Sequence, residues 1–235
     1  MQRVVARRSR LLHARRMLAL VIREAKPDDL AAVMAIEQAS FAPGLRETLP
    51  TYRARLDLYP LGFLVAEQAG RLLGFITAER WTETDGLAAS RFAIDHHPAL
   101  HHRADGEVLY FSALAVAADA RGLGTGAALL TRLIADHTPA VQAALLVVAR
   151  GWTAARHAYA RAGFAEHSVL PGFFRAEGAM PDDGLVLRRA VVPDNGAGTR
   201  TATGTKVPAK DPQPPYDRRP WISPLPCPPR PAPSA

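Results

Sequence analysis

Residues 120–137, ARGLGTGAALLTRLIADH, set glycines at 122, 124 and 126 behind Arg121 and run directly into an amphipathic helical pattern. Glycines this dense beside a helix start serve where the backbone must turn left-handed or approach another group closely. The free N–H groups and positive dipole end of the helix then suit an anion. The stretch predicts a strand, a tight loop and a helix in succession, with a phosphate as the first candidate ligand.

Three phosphate-binding patterns compete for residues 121–126. A Walker A loop needs a lysine and a hydroxyl after its last glycine, whereas Gly126 is followed by Ala127, Ala128 and Leu129, which excludes it. A dinucleotide fingerprint is formally present as Gly122, Gly124 and Ala127. However, its glycines should follow the strand directly and an acid should close the next strand. Here Ala117–Arg121 intervene and the next apolar run ends in Arg150. The third pattern is Arg/Gln-x-x-Gly-x-Gly/Ala after a strand ending Leu-Ala-Val, met by Leu114, Ala115 and Val116 followed by Arg121, Gly124 and Gly126.

The flanking sequence sets this loop in an alternating α and β context. Pro27, Asp28 and Asp29 open an amphipathic helix carrying Leu30, Val33, Met34 and Ile36, after a short strand ALVIRE. ETLPTYRARLDLY reads as a second helix ending before Pro60, and LGFLVAEQAGRLLGFITAERW as a hairpin turning at Gln68, Ala69 and Gly70. Residues 82–106 form a polar loop without sustained period. EVLYFSALAV and the wholly apolar AALLVVA are strands, and WTAARHAYARAGF is a helix stopped by Gly163. The last part, GFFRAEGAMPDDGLVLRR, predicts two strands around a Pro-Asp-Asp-Gly turn.

Charge matters only once it is divided along the chain. The net +7 of the 235 residues comes from the ends: residues 1–16 hold six arginines and no acid, and residues 193–235 hold six basic and three acidic residues. Residues 17–192 keep 17 of the 29 basic and 19 of the 22 acidic residues, a net of −2. A basic nucleic-acid footprint on the folded part is therefore not expected. The expected organisation is a basic extension 1–16, disordered or not translated if synthesis starts at Met17, a domain over 17–192, and a Pro-rich disordered tail over 193–235. The apolar run Met17–Ile22 is too short for a secretory core or a membrane span. The sole cysteine, Cys227, excludes disulfides and thiolate zinc sites, and a cytoplasmic protein is expected.

With its Leu-Ala-Val strand and glycine loop, its IREAKPDDLAAVMAIEQASF start, its FLVAEQAGRLLGFI hairpin and its AYARAGF helix, the chain resembles the GNAT family of acetyl-CoA-dependent N-acetyltransferases over roughly 17–190. The resemblance implies an α/β chain of α+β type. Its mixed, mostly antiparallel sheet would have about six to seven strands with about four flanking helices, the fourth and fifth strands splayed. It further implies that the backbone of Leu114, Ala115 and Val116 aligns the pantetheine arm and polarises the thioester. The amides of Arg121, Gly122, Leu123, Gly124, Thr125 and Gly126 would bind the pyrophosphate, and an amine would attack the acetyl carbon directly. Tyr159 matches the family's usual acid for the departing thiolate.

The chain departs from the family pattern at several positions. Trp152 stands where an asparagine that contacts the cofactor is common. The ending GFFRAEG and DDGLVLRR resembles enzymes that acetylate ribosomal-protein N-termini, yet Val147 stands where those enzymes often place a glutamate base. Tyr110 and Ser112 replace the two histidines of arylalkylamine acetyltransferases. The base is open between Glu107, Ser112 and the histidine loop His96, His97, His101 and His102. Those histidines beside Asp95 could suggest zinc, but they lack a helical i, i+4 pair and the family needs no metal. His97, His101 and Tyr110 are expected on the acceptor rim. The expected protein acetylates a small amine, an amino acid or a peptide N-terminus, as monomer or homodimer, without nucleic acid, membrane or metal. The alternatives are an acyl-CoA-binding protein without turnover, a dinucleotide oxidoreductase, and a nucleic-acid adaptor using both basic ends.

Overall fold

The computed structural model describes residues 19–82 and 87–191. The basic extension, the Pro-rich tail with Cys227 and part of the long polar loop lie outside the described residues.

The elements are β1 (Val21–Glu24), α1 (Leu30–Ser40), α2 (Leu49–Leu58), β2 (Phe63–Gln68), β3 (Arg71–Trp81), β4 (Val108–Val116), α3 (Thr125–His137), β5 (Ala143–Ala149), α4 (Thr153–Arg161), β6 (Ala165–Phe174) and β7 (Asp182–Ala190). The described strands form one sheet in the order β1-β2-β3-β4-β5-β7-β6. Only β4 and β5 run parallel, and every other neighbouring pair is antiparallel. The expected GNAT-like class, a mixed sheet with four helices, is the fold found.

Both faces of the sheet are covered, so its strands are apolar on successive residues instead of alternating. On β2, Leu64 and Ala66 pack with Leu129, Leu130 and Leu133 of α3, while Phe63 and Val65 pack with Val33 of α1 and Tyr52 of α2. Burying each of these leucines contributes roughly 1.5 to 3 kcal/mol. The start of α1 is fixed electrostatically. Arg23 of β1 grips the Asp29 carboxylate through two bonds of 2.7 and 2.9 Å, and Asp29 in turn accepts the Lys26 N–H at 2.7 Å. That guanidinium holds the Asp29 carboxyl below its ordinary range.

The end of the domain corrects the sequence reading. The Pro-Asp-Asp-Gly segment is not a turn: Asp182, Asp183 and Gly184 belong to β7, and the chain reverses earlier, around Gly178 at φ +71°. The aspartates act as bridges, Asp183 accepting the Gly172 N–H at 2.9 Å and Asp182 the Gly151 N–H at 2.8 Å. Gly184 is required by packing, since a Cβ there would meet Val147 Cγ1 at 2.9 Å. β6 also starts at Ala165, well before the predicted strand, because this edge strand is largely exposed and carries little apolar pattern.

Candidate active site

The site begins where β4 and β5 part. Their parallel pairing runs from Val108↔Ala143 to Phe111↔Leu146 and stops there. Beyond that point β4 stays with β3 as far as Gly74↔Val116, and β5 stays with β7 as far as Ala149↔Gly184. A bulge drives the parting, because the β3–β4 register shifts between Thr77 and Ala78 and leaves Ser112 as the extra residue. An extra residue bends and twists its strand. The Ser112 hydroxyl is used in holding the bulge: it donates to the Thr77 carbonyl at 3.3 Å and sits 2.8 Å from Thr77 Oγ1.

The gap is a cleft open to solvent. Its walls come from Tyr110–Leu114 of β4, Leu146–Val148 of β5, Trp152 with Ala155 and Tyr159 of α4, and Phe173–Phe174 of β6. Glu37, Phe41, Leu45 and Glu47 line it from the α1 side, and Phe92–Ile94 from the long loop. Trp152 is held in an aromatic row, 5.9 Å from the Phe41 ring and 5.3 Å from that of Phe174. Tyr159 packs edge-on against Phe164 at 5.9 Å, and burial pushes its phenol above the ordinary range, so the hydroxyl keeps its proton at neutral pH.

The glycine loop lies past the end of β4, reached through Leu114, Ala115 and Val116. Gly122 and Gly124 have φ of +76° and +85°, the left-handed conformation that glycine adopts without strain. Gly124 caps α3, its carbonyl accepting the Ala128 N–H at 2.9 Å, and no atom lies within 4 Å of where its Cβ would be. Thr125 and Gly126 are buried in the first turn, while Leu123 is 74% exposed. Arg121 points back, donating to the Val116 carbonyl at 3.0 Å and the Ser40 hydroxyl at 3.2 Å.

The candidate acid–base residues separate. Glu107 precedes β4 at its closed end, where its carbonyl accepts the N–H groups of Gln142 and Ala143, and it does not line the cleft. The long loop lines the cleft with Phe92, Ala93 and Ile94, not with its histidines. His97 caps a short turn by accepting the Ala99 N–H, and His101 packs edge-on against Trp81. Tyr110 does line the cleft, stacked 4.0 Å from Trp81, with its phenol pushed up by burial. Among the described residues no group of three His, Cys, Asp or Glu side chains is placed to hold a metal ion.

A buried charged network stands behind the α1 wall and was not anticipated. Arg55 of α2 donates to Glu47 at 2.6 and 3.2 Å and pairs with Glu79 of β3. Glu79 also accepts from Trp81 Nε1 at 3.0 Å and from His96 Nε2 at 2.9 Å. Because His96 Nδ1 meets the Ala93 carbonyl at 2.7 Å, both ring nitrogens serve as donors. Burial disfavours the imidazolium, but the Glu79 hydrogen bond and charge outweigh it and raise the His96 pKa. Beside this network, Glu37 was legible as a charge inside an apolar stripe, since it stands seven residues after Leu30 on the buried face of α1.

The acetyltransferase (GNAT) family model matches residues 30–164, more than half of the chain, which therefore belongs to the GNAT acetyltransferase family. No curated protein matches the chain in sequence. Solved structures agree in fold. The GphF GNAT-like decarboxylase in complex with isobutyryl-CoA is 21% identical over 73% of this chain and all of its own, with a TM-score of 0.60. The ribosomal-protein-S18-alanine N-acetyltransferase from Escherichia coli is 18% identical over 77% of this chain and all of its own, with a TM-score of 0.57. The putative acetyltransferase yncA from Salmonella typhimurium, with acetyl-CoA, is 20% identical over 76% of this chain and 97% of its own, with a TM-score of 0.56.

Proposed function

We propose that the protein transfers an acetyl group from acetyl-CoA to a primary amine, whether a small amine, an amino acid or a peptide N-terminus. The observation that carries this reading is the edge of β4 beyond Phe111, left without a strand partner and leading to a glycine loop at a helix N-terminus. An unpaired edge offers backbone donors and acceptors to an extended polar arm, and the amides of residues 121–126 with the α3 dipole suit a pyrophosphate. Structures of similar fold hold isobutyryl-CoA and acetyl-CoA, which supports the same use here.

In this reading Leu114, Ala115 and Val116 orient the thioester and polarise its carbonyl. The amine attacks in the aromatic cleft, and Tyr159 donates its proton to the departing sulfur. The catalytic unit would span residues 17–192 and work in the cytoplasm, as monomer or homodimer. No described helix is long and apolar enough to cross a membrane.

Calorimetric titration of the full chain with acetyl-CoA, with NADH and ATP as controls, tests the first half. Release of free thiol in the presence of amines tests the second. Binding of NADH without acetyl-CoA would replace this reading with the dinucleotide one. A second reading, acyl-CoA binding without turnover, is favoured by Trp152 filling the aromatic row in place of an asparagine and by Val147 on β5 in place of a glutamate. Tight binding with no thiol release from any amine would select it.

A further inference from the structure

The cleft contains two carboxylates, and among the described residues lining it there is no lysine, arginine or histidine. The two acids differ. Glu47 is paired with Arg55, and Glu47, Arg55, Glu79 and the doubly donating His96 form a charge-balanced quartet. Glu37, in the last turn of α1 and 1% exposed, stands outside that balance. Its Oε1 accepts the Glu47 N–H at 2.9 Å, and its Oε2 is buried, with the Tyr52 phenol as the hydroxyl facing the carboxylate. The groups facing it are Glu47 and Arg46 from the α1–α2 connection and the phenol of Tyr52 on α2. Burial foremost, then the Glu47 charge, pushes its carboxyl up to about 7, against the pull of the Glu47 N–H, Tyr52 and Arg46.

We infer that Glu37 is the proton acceptor of the transfer, and that the cleft selects an amine with an apolar, aromatic-sized body and no carboxylate beside its nitrogen. This rests on the amine-acetylation reading above. A buried carboxylate on the cleft wall, with no cation paired to it and one oxygen toward the Tyr52 phenol, takes a proton from an ammonium directly or through one water. Phe41, Phe92, Phe173 and Phe174 supply apolar wall for the body of the acceptor. A free amino acid would bring its own carboxylate toward two acids with no cation among the described lining residues to receive it, which desolvation makes costly.

The step balances. The ammonium gives one proton to Glu37, and the freed nitrogen lone pair forms the N–C bond to the acetyl carbon. Collapse breaks the C–S bond, and the sulfur leaves with that electron pair. Tyr159 protonates the sulfur and regains a proton, through solvent, from the nitrogen, and Glu37 later releases its proton to water. The sum is ammonium plus thioester giving amide, free thiol and one proton.

The test uses the full chain with acetyl-CoA and four acceptors: 2-phenylethylamine, L-phenylalaninamide, a phenylalanyl-alanine amide and L-phenylalanine. Thiol release is followed from about pH 5.5 to 9. The carboxylate-free acceptors are expected to exceed L-phenylalanine at least about tenfold in kcat/KM, and their order separates a small-amine enzyme from a peptide enzyme. Glu37→Gln, which keeps an acceptor for the Glu47 N–H, is expected to lower kcat about 100-fold or more and remove the acid limb of the profile. Its acetyl-CoA Kd should stay within about twofold, since it leaves the cofactor face intact. The inference is overturned if L-phenylalanine matches the other acceptors, or if the variant keeps its rate and its acid limb. Should the variant not fold, the wild-type profile and acceptor order still decide. A wild-type protein that binds acetyl-CoA but turns over none of the four overturns this inference alone, whereas one that does not bind acetyl-CoA overturns the reading beneath it.

Discussion

The guanidinium of Arg121 donates to the hydroxyl of Ser40 at 3.2 Å, across 81 residues of sequence, and to the carbonyl of Val116 at 3.0 Å. One side chain thus joins the glycine loop, the end of β4 and the last turn of α1, three residues from Glu37. Arg121→Ala removes both bonds and should cost about 1 to 3 kcal/mol in denaturant unfolding. With the loop released, the acetyl-CoA Kd should rise about tenfold in calorimetry. An unchanged Kd would mean that the loop keeps its shape without this anchor.

Gly124 separates backbone strain from charge. At φ +85° with open space around its Cβ position, Gly124→Ala meets no clash and costs only the left-handed backbone, about 1 to 2 kcal/mol. Gly124→Asp carries the same backbone cost and adds a negative charge at the α3 N-terminus, where a pyrophosphate would sit. We expect the alanine variant to bind acetyl-CoA weakly and the aspartate variant not at all, at similar melting temperatures. Equal affinity in the two would remove the phosphate from the loop.

Tyr159 lines the cleft and keeps its proton because burial raises its phenol. A thiolate is a good leaving group, so Tyr159→Phe should lower kcat only about tenfold, with acetyl-CoA affinity unchanged. Stopped-flow thiol release and calorimetry together read the split. A loss confined to affinity would make Tyr159 a packing residue.

Arg55 is the centre of the buried quartet, and its removal takes the cation from Glu47 and leaves Glu79 with His96 and Trp81 alone. Arg55→Met should destabilise the fold by about 3 to 5 kcal/mol in urea unfolding at neutral pH. A loss below about 1 kcal/mol would mean that Glu47 and Glu79 find protons or other partners.

Stability should pass through a maximum as pH changes. Both His96 and Glu37 have folded pKa values above their ordinary ones, 6.5 and 4.5, so the folded state binds their protons more tightly. Their contributions are complete below those ordinary values and are lost as pH rises, that of Glu37 through about 7. For Glu37 the loss amounts to about 3 kcal/mol by linkage. Glu79 works in the opposite sense: burial would raise it, yet His96, Arg55 and Trp81 hold it below its ordinary value, so its contribution falls away in acid. Unfolding free energy measured from about pH 4 to 9 should therefore decline on both sides, and Glu37→Gln should flatten the alkaline side. An alkaline side equally steep in that variant would remove Glu37 from the titrating groups.

What the sequence determined by itself was local. Apolar runs named β4 and β5, Ala69 and Gly70 marked the hairpin, and glycines 122, 124 and 126 marked a loop that needs positive φ and a helix behind it. These are signals of period and turn chemistry, written within a dozen residues. The tertiary structure alone decided where β4 leaves β5, because a bulge at Ser112 and the competing partners β3 and β7 act across the sheet. It also turned Pro-Asp-Asp-Gly into a strand start, by giving two aspartates distant N–H groups to bridge. It placed Glu37, a charge in an apolar stripe of α1, on the cleft wall, and kept Glu107 and the histidines of the long loop off it. Residues 37, 47, 55, 79 and 96 carry no shared spacing, and only the folded chain makes one carboxylate differ from another: it excludes the water that levels carboxylates in an open chain and gives Glu79 the cationic partners that Glu37 does not have.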